Sequence, residues 1–259
     1  MFYWNSKLRL KAGTVNGLFL PIPPERNCCR DRRVLLYWKL LQAILFMPVF
    51  FVLNLCGQSV NSSIPAKISR EAKYLFYLHG AVVTVLGNNA INAPVPHYGP
   101  YEYLNILDTL SKRGFYVVSE RRFPDVNDSV YVNKIIRQID SLLQRGARPE
   151  NITVIGASAG WSIGLRVSSR MQNDNLRFIL MGGCWPDTYK DYESLKLHGH
   201  FLSIIEASDP HGTCTAIFRN RNEMKSFKEI TLHTGREHGF FYKGYKEWVD
   251  PVVEWTQSK

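Results

Sequence analysis

From residue 74 onward the chain carries six short apolar runs, at 74–79, 115–119, 152–155, 176–181, 201–207 and 229–233. Each is nearly continuous in apolar and β-branched residues. That pattern predicts strands buried on both faces rather than strands with one wet side. Between the runs, apolar positions fall at helical spacing. In 101–113, Leu104, Leu107 and Leu110 share one stripe, and Gly114 is placed to end the helix. In 129–144 the stripe is Val132, Ile135, Ile136, Ile139, Leu142 and Leu143, with Gly146 beyond it. Two more helices are predicted over 159–170 and over 246–256, the second interrupted by Pro251. Strands alternating with helices predict the α/β class. The expected architecture is a mostly parallel sheet of about six strands covered on both faces, a three-layer α/β/α sandwich.

The run 152–155 leads straight into Gly156-Ala157-Ser158-Ala159-Gly160, a G-x-S-x-G motif between a strand and a helix. A serine nucleophile held above a sheet needs this arrangement. The turn is so tight that only small residues fit two positions to either side. The bare motif is common, and a glycine-rich turn that binds nothing is the competing reading. A nucleophilic serine also needs a base, and the base needs an orienting carboxylate. Ser208-Asp209 follows the fifth run, and His238-Gly239-Phe240 follows the sixth, so Ser158, Asp209 and His238 stand in the order Ser, acid, His. Glu206 and Asp187 compete for the acid. His233 competes for the base. His211, two residues beyond Asp209, is a candidate substrate contact. No His/Cys/Asp cluster shows metal-ligand spacing, so no metal and no cofactor are expected.

With Leu78-His79-Gly80 added, these motifs resemble the α/β-hydrolases, over about the last seven-tenths of the chain. The similarity is greatest to small, lid-less bacterial members of that superfamily. The six runs would then be strands three to eight of the fold, with the first two strands missing. The resemblance implies Ser158 as nucleophile, His238 as base and Asp209 as its partner. The oxyanion donors would be the N–H groups of Ala159 and Ala81, with Gly80 as the alternative to Ala81. His79 would brace the oxyanion loop and take no part in proton transfer. The 80–100 stretch reads as a long loop forming one wall of the site, with Gly80 and Tyr98 as substrate-binding residues. Tyr101 and Tyr103 are ordinary packing residues or neighbours of the site. Only about 18 residues separate the fourth and fifth runs, leaving room for one short helix and no large lid. The implied activity is carboxylesterase-like, on a small-molecule acyl substrate. A thioesterase, a peptidase or a non-catalytic binding protein on this fold are the alternatives.

The N-terminal 56 residues are of another kind. A basic leader over 1–33 precedes an apolar stretch over 34–56, and a linker over 57–73 connects it to the hydrolase-like domain 74–259. Within the stretch, 43–53 holds 11 residues without a polar side chain. A span wants about 20 apolar residues, so this fits a signal region or a marginal signal anchor. The basic flank would keep the N-terminus cytoplasmic and export the domain, to the periplasmic or extracytoplasmic side. A cytoplasmic protein with an apolar helix packed on the domain is the alternative. Leu53-Asn54-Leu55-Cys56 is a poor lipoprotein box, because Leu55 is too large. Of the formal net charge of +10, residues 1–56 contribute +6. The domain is only mildly basic and has no aromatic-interleaved basic stripe, which argues against a nucleic-acid partner. Nothing in the sequence points to an oligomeric state. Cys184 and Cys214 fall at the ends of neighbouring predicted strands. A disulfide pinning the Asp209 loop is expected if the domain is exported; two separate buried thiols are the alternative.

Overall fold

The structure is a computed structural model and describes residues 61–219 and 221–257. The basic leader, the apolar stretch and the first residues of the linker lie outside the described residues. Among the described residues, no helix is long and apolar enough to cross a membrane. Strands β1 (Lys73–Leu78), β2 (Phe115–Val118), β3 (Ile152–Ala157), β4 (Arg177–Met181), β5 (His200–Glu206) and β6 (Ser226–Leu232) form one sheet in the order β2-β1-β3-β4-β5-β6. Every pairing is parallel. The expected α/β architecture of about six strands is therefore present among the described residues.

The apolar runs are continuous because alternate residues of each strand serve two cores. On β1, Tyr74, Phe76 and Leu78 join one cluster and Leu75 and Tyr77 the other. On β4, Phe178 and Leu180 face one way and Ile179 and Met181 the other. The first core is closed by helices α4 (Asp128–Gln144) and α5 (Gly160–Met171), through Val132, Ile135, Ile139, Ile163 and Val167. The second is closed by α3 (Tyr103–Lys112) and α7 (Lys246–Gln257), through Ile106, Leu110, Trp248 and Val252. Such side chains contribute about 1.5–3 kcal/mol each when fully buried. Gly114 and Gly146 follow α3 and α4 at φ 94° and 90°, the left-handed conformation that ends a helix. Helix α7 runs through Pro251, whose ring nitrogen cannot donate to the preceding turn.

Two elements differ from the sequence expectation. The stretch 80–100 is not one loop: helices α1 (Ala81–Leu86) and α2 (Asn88–Asn92) occupy its first half. Four of the six residues of α1 are valine or threonine, which disfavour helix on their own. Burial of Val83 against the second core outweighs that preference. Strand β6 begins three residues before its apolar run. It is an edge strand with one neighbour, so exposed Ser226, Lys228 and Thr231 alternate with partly covered residues. Residues 61–72, within the stretch read as a linker, lie against the domain, with Ile64, Ile68 and Ala72 packed on the first core. The chain passes from β1 to β2 on one side, then returns to β3 on the other side of β1 and continues outward from there. That makes the C-terminal edge near β1 and β3 the switch point where a crevice opens in such sheets.

Candidate active site

Strand β3 delivers Ser158 to this switch point. Its φ is +49°, the strained backbone of a tight strand-to-helix turn. The Ser158 N–H donates to the Met181 carbonyl (2.8 Å), and its own carbonyl accepts from Trp161 N–H (2.9 Å). A Cβ at position 156 would lie 2.6 Å from Trp161 Cα, and one at 160 would run into the Leu78 carbonyl. Both motif glycines are thus required by close backbone approach.

The other two predicted residues arrive from the ends of β5 and β6. Asp209 lies in the turn after β5, and His238 opens a 3-10 turn, His238–Tyr242, beyond β6. His238 Nδ1 is 2.7 Å from Asp209 Oδ2, and Nε2 is 2.9 Å from Ser158 Oγ. A carboxylate only accepts, so Nδ1 carries the proton and donates to Asp209. Nε2 is then left to accept from the serine hydroxyl. Asp209 and His238 are buried, and the second carboxylate oxygen accepts from His211 N–H at 3.1 Å. The alternatives sit elsewhere. His233 is exposed after β6. Asp187 lies on the 3-10 turn Pro186–Tyr192.

Glu206 has a different task. It is buried, and its carboxylate accepts from Ser208 N–H (2.7 Å), Thr234 N–H (2.7 Å) and Gly235 N–H (3.0 Å) and from the Ser208 hydroxyl. Burial alone would push its pKa up. The hydrogen bonds from Ser208, Thr234 and Gly235 outweigh burial and hold it at about 2. The Ser208 hydroxyl oxygen in turn accepts from Glu237 N–H at 3.0 Å. One buried carboxylate therefore ties the turn that carries Asp209 to the loop that carries His238. Sequence reasoning weighed Glu206 only as a catalytic acid; no local signal shows that backbone donors from 28 and 29 residues away converge on it.

On the other side of Ser158 stands the β1 exit. A Cβ at position 80 would be 3.1 Å from Ser158 Cβ, so the Gly80 backbone abuts the serine. Ala81 opens α1 and Ala159 caps α5. Their N–H groups belong to first turns, which have no intrahelical acceptor. His79 is fully buried behind this loop. Its Nε2 accepts from Arg122 N–H (2.9 Å), so Nδ1 carries the proton and donates to the Gly80 carbonyl (2.9 Å). Burial, then the Arg122 charge, lowers the His79 pKa to about 3, so the ring stays neutral. Arg122, which the sequence did not single out, also donates to the His79 carbonyl. Tyr101 is buried and accepts from Gly80 N–H at 3.4 Å, while Tyr103 is buried against Ser119.

Tyr98 is partly exposed and packs edge-on to Tyr242, with ring centroids 5.5 Å apart. Burial, then the Glu237 and Asp209 charges, pushes its phenol up from its ordinary value. His211 lies between Trp185 and His238, with ring centroids 5.0 and 4.8 Å away, and burial lowers its pKa. Ligand-type atoms of Asp209, His211 and His238 lie within 4.8 Å of one another. Both nitrogens of His238 are already engaged with Asp209 and Ser158. Cys184 and Cys214 form a disulfide with Cα atoms 5.0 Å apart, joining the β4 exit to the segment between Asp209 and helix α6 (Thr215–Phe218).

No family model matches the chain, and no curated protein matches it. Solved structures do. An acetyl ester-xyloside bifunctional hydrolase from Caldicellulosiruptor lactoaceticus superimposes with a TM-score of 0.51 at 12% identity, over 75% of this chain and 85% of that one. An esterase/lipase from an uncultured bacterium gives a TM-score of 0.47 at 15% identity, over 72% and 75%. A predicted CIB-like hydrolase from Thermoplasma acidophilum gives 0.45 at 14%, over 73% and 87%. At 12% identity the first of these likenesses speaks for the fold alone; with the strand order and the elbow it gives this chain the α/β-hydrolase fold.

Proposed function

We propose that this protein is a serine hydrolase that cleaves an ester or related acyl bond of a small molecule through an acyl-enzyme. The observation that carries the reading is the unbroken chain of contacts from Ser158 Oγ through His238 to Asp209, at 2.9 and 2.7 Å. Ser158 attacks the carbonyl while His238 Nε2 takes its proton. Asp209 holds the imidazole tautomer and stabilises the imidazolium. The oxyanion forms against the N–H groups of Ala159 and Ala81. The N-terminus of α5 adds its positive dipole end there. His238 then returns the proton to the leaving group, and a water activated by the same histidine releases the acyl group.

For location, the same proposal has the domain exported and tethered by the apolar stretch 34–56, with the basic leader on the cytoplasmic side. The Cys184–Cys214 disulfide supports an oxidising compartment.

A fluorophosphonate probe tests the chemistry, because it reacts only with an activated serine. Wild type should be labelled on the peptide bearing Ser158, and Ser158→Ala and His238→Ala should not. Absence of labelling on folded wild-type protein would leave a binding protein on this fold.

A further inference from the structure

Two successive peptide units carry the chain from His79 to Ala81, and a hydrogen bond holds each of them. The first joins His79 to Gly80. Its carbonyl accepts from the Arg122 guanidinium, and its N–H donates to the Tyr101 hydroxyl at 3.4 Å. The second joins Gly80 to Ala81. Its carbonyl accepts from His79 Nδ1–H at 2.9 Å. In a planar trans peptide the C=O and the N–H point in opposite directions. Fixing the Gly80 carbonyl therefore fixes the direction of the Ala81 N–H, which the first turn of α1 leaves without an intrahelical acceptor. The Gly80 N–H is taken by Tyr101 and does not serve in its place.

Both constraints trace to Arg122. Its backbone N–H donates to His79 Nε2 at 2.9 Å, which leaves the ring proton on Nδ1, where it reaches the Gly80 carbonyl. Its side chain holds the carbonyl of the preceding peptide. Arg122 comes from the segment after β2, and β2 lies beside β1 in the sheet. It is only 5% exposed, and its Nη1 has no partner among the described residues. A guanidinium kept this deep with one nitrogen unused is costly. An apolar side chain of similar length would serve packing as well or better, but it could not hold the His79 carbonyl. The held backbone is the part of the β1 exit that meets the nucleophile, since a Cβ at position 80 would lie 3.1 Å from Ser158 Cβ.

We propose that Arg122 is a positioning residue of the oxyanion hole: it clamps the two peptides of the β1 exit so that the Ala81 N–H faces the oxyanion formed at Ser158. The inference rests on the serine-hydrolase reading above. Rotation of the Gly80–Ala81 peptide would remove a donor and turn a carbonyl oxygen toward the developing charge. Outright loss of one oxyanion donor lowers kcat about 10²–10³-fold; Arg122→Met releases only one of the two peptides, so its loss should be about 10–100-fold. Acylation and deacylation both pass through an oxyanion, so the loss falls on kcat and leaves KM unchanged.

The test measures kcat and KM of the full chain on p-nitrophenyl acetate, with folding checked by thermal melting. Arg122→Met should lose kcat at unchanged KM. Arg122→Lys keeps a donor for the His79 carbonyl and should recover most of the loss. Arg121→Met removes the neighbouring charge, which is bonded to Asn88 and not to the loop, and should match wild type. Tyr101→Phe releases the other end of the His79–Gly80 peptide and should also lose kcat at unchanged KM. Wild-type kcat in Arg122→Met, a loss confined to KM, or an Arg122→Lys no better than Arg122→Met overturns the clamp and leaves the serine hydrolase standing. If Arg122→Met does not fold, wild-type kcat in Tyr101→Phe overturns it. A folded wild type that neither turns over the ester nor takes a fluorophosphonate overturns the hydrolase reading and the clamp together.

Discussion

Glu206 shows how one side chain can hold a site without touching its chemistry. Its carboxylate takes backbone donors from both loops that present Asp209 and His238. Glu206→Gln puts amide hydrogens where acceptors are needed. It should cost about 2–3 kcal/mol of stability at pH 7. The pH dependence has a definite sign. The folded-state pKa of about 2 lies below the ordinary 4.5, so the stabilisation is complete above about pH 4.5 and is lost as pH falls toward 2. Urea midpoints measured at pH 7 and pH 3 should therefore converge between wild type and variant at the lower pH. An unchanged gap would contradict this account. At the residue scale, Ser158, Asp209 and His238 were legible because their types, order and positions past strand ends are all local features. Glu206 and Arg122 were not, since their partners lie 28–29 and 43 residues away in sequence.

At the scale of elements, the sheet was readable wherever strands are buried on both faces. The central strands announce themselves as apolar runs, and α4 announces itself by its stripe. The reading broke where tertiary packing overrides local preference, as in valine-rich α1, or where an edge strand needs few apolar residues, as in the first half of β6. The disulfide could be proposed from strand adjacency alone, because Cys184 and Cys214 leave neighbouring strands at the same end of the sheet. It closes 30 residues of chain, including the Asp209 turn. Replacing both cysteines by alanine should cost about 3–4 kcal/mol, which is the closure entropy of a loop of that length. Calorimetry of the double variant checks this. The wild type should also melt lower in reductant, and the variant should not respond to it.

At the scale of the whole molecule, the C-terminal end of the sheet gathers Ser158, Asp209 and His238 from the ends of three different strands. The central claim remains that Ser158 is a covalent nucleophile, and acyl trapping tests it most directly. The protein is mixed with a short activated ester, quenched in acid within the first turnover and peptide-mapped by mass. The account predicts an acyl group on the peptide bearing Ser158, absent from Ser158→Ala and strongly reduced in Asp209→Asn. Hydrolysis that proceeds at the wild-type rate in Ser158→Ala, with no acyl adduct, would contradict it.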